Sequence, residues 1–489
     1  MKSLNTRPLA LALILILASY PAFATCGGGG GGGGGGMSSG GSSGGMSPPV
    51  YHVPWKIRKQ GDPPNSGLVV YWFPASKEEL QKSSLRESRV LSLYASQCVS
   101  MELADGNTPG AEKLLGESKV PVAVLATPDG MPVSKIENKD GRLKVAEVEK
   151  VVEGEVKKRE DALDTNLKDA KDKAKTGDNA AAIQLLRGVV EQKCMFPKKA
   201  REAAKELKKL GVTEVVDIPA AAAAPVFDAR VSLRIERIMR GGLRAENNAS
   251  YRQAERLYSQ AHRLDPADPA PLRYLGELYR HHTGEWDKAR ATFDAILGMP
   301  ADPLSRAVAL HGLGKMTIHE GEFKKGLALM ESSVEAYPLA LGYRNLVVYW
   351  NSEGDQAKTD YYVTKALAVD PTDPYNLIFA AVFLAASGRG AEALKIAREN
   401  EALLPASYNL AAIYAQAGER EKALALLKRH FFQYERYRAV RSKEMMEARV
   451  DGVFTSLRED PAFLALTHDA DGKLPMPAAT MGTRSGMNR

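Results

Sequence analysis

The sequence predicts a multidomain chain, with a small α/β domain followed by an all-α superhelix of stacked helix pairs. Three observations predict it. From about residue 235 to 435 the chain repeats itself about every 34 residues, with prolines at Pro266, Pro300, Pro338, Pro371 and Pro405 and glycines at Gly284, Gly321, Gly354, Gly388 and Gly418. Between residues 51 and 149, short β-branched and aromatic runs flank a helical pattern. Between these regions, residues 153–210 alternate Lys with Asp and Glu in a charged helical stretch.

The first element is a leader over residues 1–24. Lys2 and Arg7 are basic, Leu9 to Ala18 is an apolar run, and Ala22-Phe23-Ala24 is a small-x-small cleavage site. The apolar run is too short to span a bilayer. The expected location is therefore extracytoplasmic, periplasmic or secreted. Cys26 follows directly and is a lipidation candidate, which would make the chain a membrane-anchored lipoprotein. Phe23 and Thr25 depart from the pattern that lipidation favours. Residues 25–50 are Gly- and Ser-rich and predict a flexible linker.

In the α/β domain, assigned to residues 51–152, Gly67 to Phe73 predicts a buried strand. Lys77 to Ser96 is expected to be one helix, through Leu80, Leu85, Val90, Leu91 and Tyr94. Further strands are expected over Cys98 to Leu103, Val120 to Ala126 and Met131 to Ile136, the last two joined by a hairpin at Asp129-Gly130. Lys144 to Lys158 predicts a closing helix. The run Val69 to Phe73, the Val120-Pro121 pair and the Asp129-Gly130 hairpin together resemble a thioredoxin-like domain. That resemblance implies a cis Pro121 beside the active site. It also implies a Cys-x-x-Cys at the start of the first helix, where this chain has Phe73-Pro74-Ala75-Ser76-Lys77-Glu78. Dithiol exchange at that place is thereby excluded.

Residues 153–215 are expected to form a helical hairpin, turning at Thr176-Gly177-Asp178-Asn179, and 216–226 a Pro/Ala linker. Residues 227–440 hold about six repeat units. In the unit from Pro269 to Pro300, Leu272, Leu275, Gly276, Tyr279, Ala289, Phe293 and Ile296 occupy the characteristic positions of the tetratricopeptide repeat family, which the region resembles. Residues 441–468 predict a helix capping the last unit, and 469–489 a disordered tail.

Composition narrows the function. A net charge of +7 with interleaved signs leaves no nucleic-acid footprint. Nucleophile, phosphate-loop, dinucleotide and zinc-helix motifs are absent from the sequence. The three cysteines, Cys26, Cys98 and Cys194, are too few for a disulfide scaffold. Cys98 reads as a buried small apolar residue, and its pairing with Cys194 stays open. His281, His282, His311 and His319 fall on neighbouring first helices, but no metal or other cofactor is expected. The tetratricopeptide resemblance implies that first helices line a concave groove. Mapped here, the groove carries Arg273, Arg280, His311, Lys315 and Arg344 at one end, and Tyr375, Ile378 and Tyr408 at the other. The expected function is a non-enzymatic scaffold holding a segment of another protein. Ordinary solvated positions are the plain alternative for these side chains, and a redox enzyme acting through Cys98 the competing function.

Overall fold

The computed structural model describes residues 50–468 except 59–63, 77–78, 81–82, 109, 139–140, 215–217, 219–223, 370–373, 405–406 and 435–437. The expected leader, the linker up to residue 49, Cys26, the tail and most of the 216–226 linker lie outside the described residues. Among the described residues, no helix is long and apolar enough to cross a membrane.

Among the described residues, five strands form one mixed sheet: β1 (Lys56–Ile57), β2 (Val69–Phe73), β3 (Ser100–Leu103), β4 (Val122–Ala126) and β5 (Pro132–Glu137). Their order is β1-β3-β2-β4-β5. β1, β3 and β2 run parallel, while β2–β4 and β4–β5 are antiparallel. β2 and β4 are buried at every residue, which is why both read as continuous apolar runs. β5 is an edge strand and alternates. The Val120–Pro121 peptide is cis and leads into β4.

The single helix expected over Lys77 to Ser96 is broken. A 3₁₀ turn (Ser84–Arg86) precedes α1 (Arg89–Ser96), because Ser83 and Ser88 each turn a side-chain oxygen onto the backbone, accepting from the N–H groups of Leu85 and Leu91. Neither β1 nor the short α2 (Ala111–Leu115) was legible as an element.

The connector also differs from a hairpin. α3 (Val145–Lys175) continues far beyond Lys158, so the closing helix of the sheet domain and the first connector helix are one rod. Gly177, at φ 85°, reverses the chain into α4 (Asn179–Glu191), capped by Asp178, and α5 (Pro197–Lys209) adds a third helix. A disulfide joins Cys98 to Cys194, with Cα atoms 5.9 Å apart. Cys98 is thus a bonded staple between sheet and connector rather than an unbonded buried apolar residue. Gly67 makes room beside it: a Cβ there would lie 2.1 Å from the Cys98 carbonyl oxygen.

Among the described residues, six helix pairs follow. They are α6 (Ala229–Asn247) with α7 (Tyr251–Leu264), α8 (Pro269–Glu277) with α9 (Trp286–Leu297), α10 (Pro303–His319) with α11 (Phe323–Ala336), α12 (Ala340–Ser352) with α13 (Gln356–Val369), α14 (Pro374–Ala386) with α15 (Gly390–Asn400), and α16 (Tyr408–Gln416) with α17 (Arg420–Arg429). Asp268 and Asp302 cap α8 and α10, and Pro269 and Pro303 open them. Small residues set the packing distance within and between pairs. A Cβ on Gly276 or on Gly312 would come within 2.4 Å of the Phe293 ring, which is clasped between them.

A buried polar cluster centred on Arg89 joins the sheet domain to the array. Arg89, on α1, is wholly buried. It donates from Nε to Asp268 Oδ2 at 3.0 Å, from Nη2 to Asp265, and from Nη1 to Val226 O at 2.9 Å and Ser232 Oγ at 2.7 Å. Tyr51 donates to Asp268 as well, at 2.7 Å, and Tyr274 donates to Val50 O at 3.0 Å. Val50 and Tyr51 therefore belong to the core of the first helix pairs, whereas Val53 and Trp55 belong to the core around the sheet.

Candidate functional site: the inner face of the helix array

The first helices of the pairs form an inner layer. All of α8 is buried, as are Tyr408 to Ala415 of α16. Their partners bury one stripe each, such as Ala289, Phe293 and Ile296 on α9. Amphipathic outer helices thus clothe inner helices that are covered on both sides.

After α17 the chain turns through a π-helical stretch (His430–Tyr434) into α18 (Arg438–Val450), a 3₁₀ turn (Gly452–Leu457) and α19 (Pro461–His468). The 3₁₀ turn packs on α16, and α19 on α17, closing the last pair. α18 adds Met445 and Ala448 to the core of the last pairs, as part of the cap expected over 441–468, and has a second contact as well. It reaches back to touch the π-helical turn Leu278–Thr283 that prolongs α8 in the second pair.

The predicted groove residues are therefore interior. Arg273, Arg280, His311, Lys315, Arg344, Ile378 and Tyr408 are all buried. This rules out ordinary solvated positions for them. The side chain of Tyr375 lies outside the described residues. Arg280 forms a two-point ion pair with Glu277, at 3.2 and 2.7 Å. Arg273 donates to Ser305 Oγ at 3.4 Å. The Lys315 ammonium lies 5.3 Å from the Tyr349 ring centre. His311 Nε2 and Asn345 Nδ2 are 2.6 Å apart. Of the four histidines, His281 and His282 have ring centres 4.7 Å apart, while His319 instead faces Trp286 at 5.8 Å. Among the described residues, no group of three His, Cys, Asp or Glu side chains could hold a metal ion.

At the other end the inner face is apolar. Val348, Phe379, Val382, Phe383 and Tyr408 line a small cleft with Asn351, Asn409, Asp451 and Val453. Tyr408 donates to Asp451 at 3.0 Å and meets the Phe454 ring edge-on at 5.0 Å. Sequence reasoning missed Asn345, Asp451 and Phe379 as lining residues. Asn345 follows from the same helical register as Arg344. Asp451 has no such signal, since it enters from beyond the repeats.

Burial controls the histidines here. It holds the pKa values of His281 and His311 well below the ordinary value, helped by the basic side chains nearby: His282, Arg280, His430 and Lys315 around the first, Arg280, Lys315 and Arg344 around the second. His52, whose Nε2 is buried, is pushed down to about 3 by burial, then by Arg273 and Arg86. The unfolded chain protonates such groups near pH 6.5 and the native chain does not. For His52 the contribution to stability is therefore complete above about pH 6.5 and falls as pH drops towards 3, by about 1.4 kcal/mol per pH unit, and His281 and His311 act in the same direction. Urea denaturation should show a midpoint that is level from pH 8 to 7 and lower at pH 5. His52→Gln should reduce the loss at pH 5 by about 2 kcal/mol. A variant with the wild-type pH dependence would contradict the assignment of His52.

No family model matches the chain. The Protein CTR9 homolog of Arabidopsis thaliana is 28% identical over 138 residues, which are 27% of this chain and 13% of that protein. The chain thus spans about an eighth of that relative's length. Among solved structures, the type IV pilus biogenesis factor PilW is 15% identical with a TM-score of 0.29, over 51% of this chain and 96% of that one. A tetratricopeptide repeat protein from Parabacteroides merdae is 16% identical with a TM-score of 0.30, over 48% of this chain and 100% of that one. The tetratricopeptide-like character of residues 229–429 stands on the chain's own helix pairs, their pitch, and the Gly276–Phe293–Gly312 clasp.

Proposed function

We propose that the chain is an exported, non-enzymatic scaffold that holds a segment of another protein on the inner face of its helix array. The observation that carries this reading is the polarity of that face. Cationic side chains around His311 give way, along the same layer, to a small cleft lined by apolar and aromatic side chains. In the same reading the leader over residues 1–24 exports the chain, and the N-terminal domain is thioredoxin-like. Its strand order and directions favour that assignment. With no cysteine at residues 74–78, it serves as a folded module rather than a redox centre. Lipid on Cys26 would add a membrane tether without altering the inner face.

The test is affinity capture from the extracytoplasmic fraction with the full chain and with Val382→Trp, which fills the cleft. A stoichiometric partner should be recovered with the wild type and fall at least about tenfold with the variant, the loss expected for one blocked anchor side chain. Equal recovery with both proteins would overturn the proposal. The competing reading, thiol–disulfide exchange through Cys98 with Cys194, has their pairing in its favour. Reductase activity towards a protein disulfide, lost in Cys98→Ser, would decide for it.

A further inference from the structure

α18 is an unusual filler for the middle of a folded array. Six of its thirteen residues are charged: Arg438, Arg441, Lys443, Glu444, Glu447 and Arg449. Arg441, Glu444, Met445 and Ala448 are buried, and this i, i+3, i+4, i+7 spacing places them on one helix face. Only two of those four are apolar. Glu444 sits 3.3 Å from His430 Nε2, and the Arg441 guanidinium lies 5.4 Å from the Phe432 ring centre. Met446, on the other side, is 60% exposed. On this face two desolvated charges offset part of the apolar gain from Met445 and Ala448.

The seat itself is incompletely satisfied. His281 Nε2, in the turn that α18 touches, is buried without a hydrogen-bond partner among the described residues, and so are His311 Nδ1 and Asn345 Oδ1 on the next two inner helices. If Asn345 donates its amide N–H to His311 Nε2, the neutral His311 carries its proton on Nδ1. The pair then presents one donor and one acceptor that nothing among the described residues meets. Native interiors seldom leave such groups unmatched.

We propose that α18 is a resident, displaceable occupant of a helix-binding seat. Its competitor is an amphipathic partner helix with the same face: a basic residue, a carboxylate three positions on, and apolar or small residues at four and seven. The proposal rests on the reading that the inner face binds protein, and adds how that face is regulated. With α18 seated, the cationic half is closed; with α18 released, it opens beside the apolar cleft.

Two measurements test it. In hydrogen exchange on the full chain, amides of α18 should exchange at least about a hundredfold faster than those of α10 and α16, as a locally opening element does. Protection equal to that of α10 would overturn the proposal. In the second, a fluorescent synthetic peptide of residues 438–450 is titrated onto the wild type and onto Met445→Asp/Ala448→Asp, which unseats α18. Unchanged exchange of α10 and α16 certifies that the variant is folded. The peptide should bind the variant at least about tenfold more tightly than the wild type. Binding to neither protein, or equally to both, would overturn the proposal. Neither measurement uses a foreign partner. Failure of the capture experiment with Val382→Trp would therefore leave this result standing, and the reverse also holds.

Discussion

Replacing Arg89 by Ala is expected to cost about 3–5 kcal/mol, the range found when one member of a buried ionic cluster is removed. The reason is the state of what remains. Asp265 and Asp268 are wholly buried, and burial already raises the Asp268 pKa despite the guanidinium beside it. Without Arg89, both carboxylates lose their counter-charge, and Val226 O and Ser232 Oγ lose their donor. Because the cluster is the main polar lock between sheet domain and array, urea denaturation should change from one transition to two. The companion variant Arg89→Met/Asp265→Asn/Asp268→Asn keeps the caps on Ala267 and Ala270 while removing all three charges. It should recover most of the loss, since an uncharged, well-packed cluster avoids the desolvation cost. Equal destabilisation by the two variants would show that the lock is not electrostatic.

Opening the Cys98–Cys194 bridge should be the next largest effect. The bridge closes a sequence separation of 96 residues. Chain-entropy reasoning for a loop of that size gives about 4.7 kcal/mol, gained by restricting the unfolded chain. Cys194→Ser should lower the denaturation midpoint accordingly, and reductant should do the same to the wild type but nothing further to the variant. Alkylation of the unreduced, unfolded chain should leave both residues unlabelled. Labelling at Cys98 would remove the bridge from the account.

The repeats were legible because their constraints are local. Gly284, Gly321, Gly354, Gly388 and Gly418 all adopt positive φ where a first helix must stop and reverse. Gly276 is small because a ring lies where its side chain would be. β2 and β4 were legible as apolar runs because both of their faces are covered. The break before α1 was not, since apolar periodicity runs straight across Ser83 to Ser88 and only the side-chain caps interrupt it. At two residues, β1 is too short to carry a pattern. The site was half legible. Helical register placed Arg273, His311, Lys315 and Arg344 on one layer, but register says nothing of what lies opposite that layer. α18 reads as part of a cap on the last unit, and only its contact with Leu278–Thr283 shows that it also reaches the second pair.

That contact has a consequence for how the array comes apart. A linear stack of units linked only to neighbours frays from its ends, one unit at a time. Here the segment beyond the sixth pair bears on the second, so the stack is fastened head to tail like a buckled strap. While the buckle holds, unravelling from the C-terminal end is blocked and the pairs in between melt together. Once it is undone, the same pairs become separable, and the chain changes from a single cooperative block into a sequence of semi-independent ones.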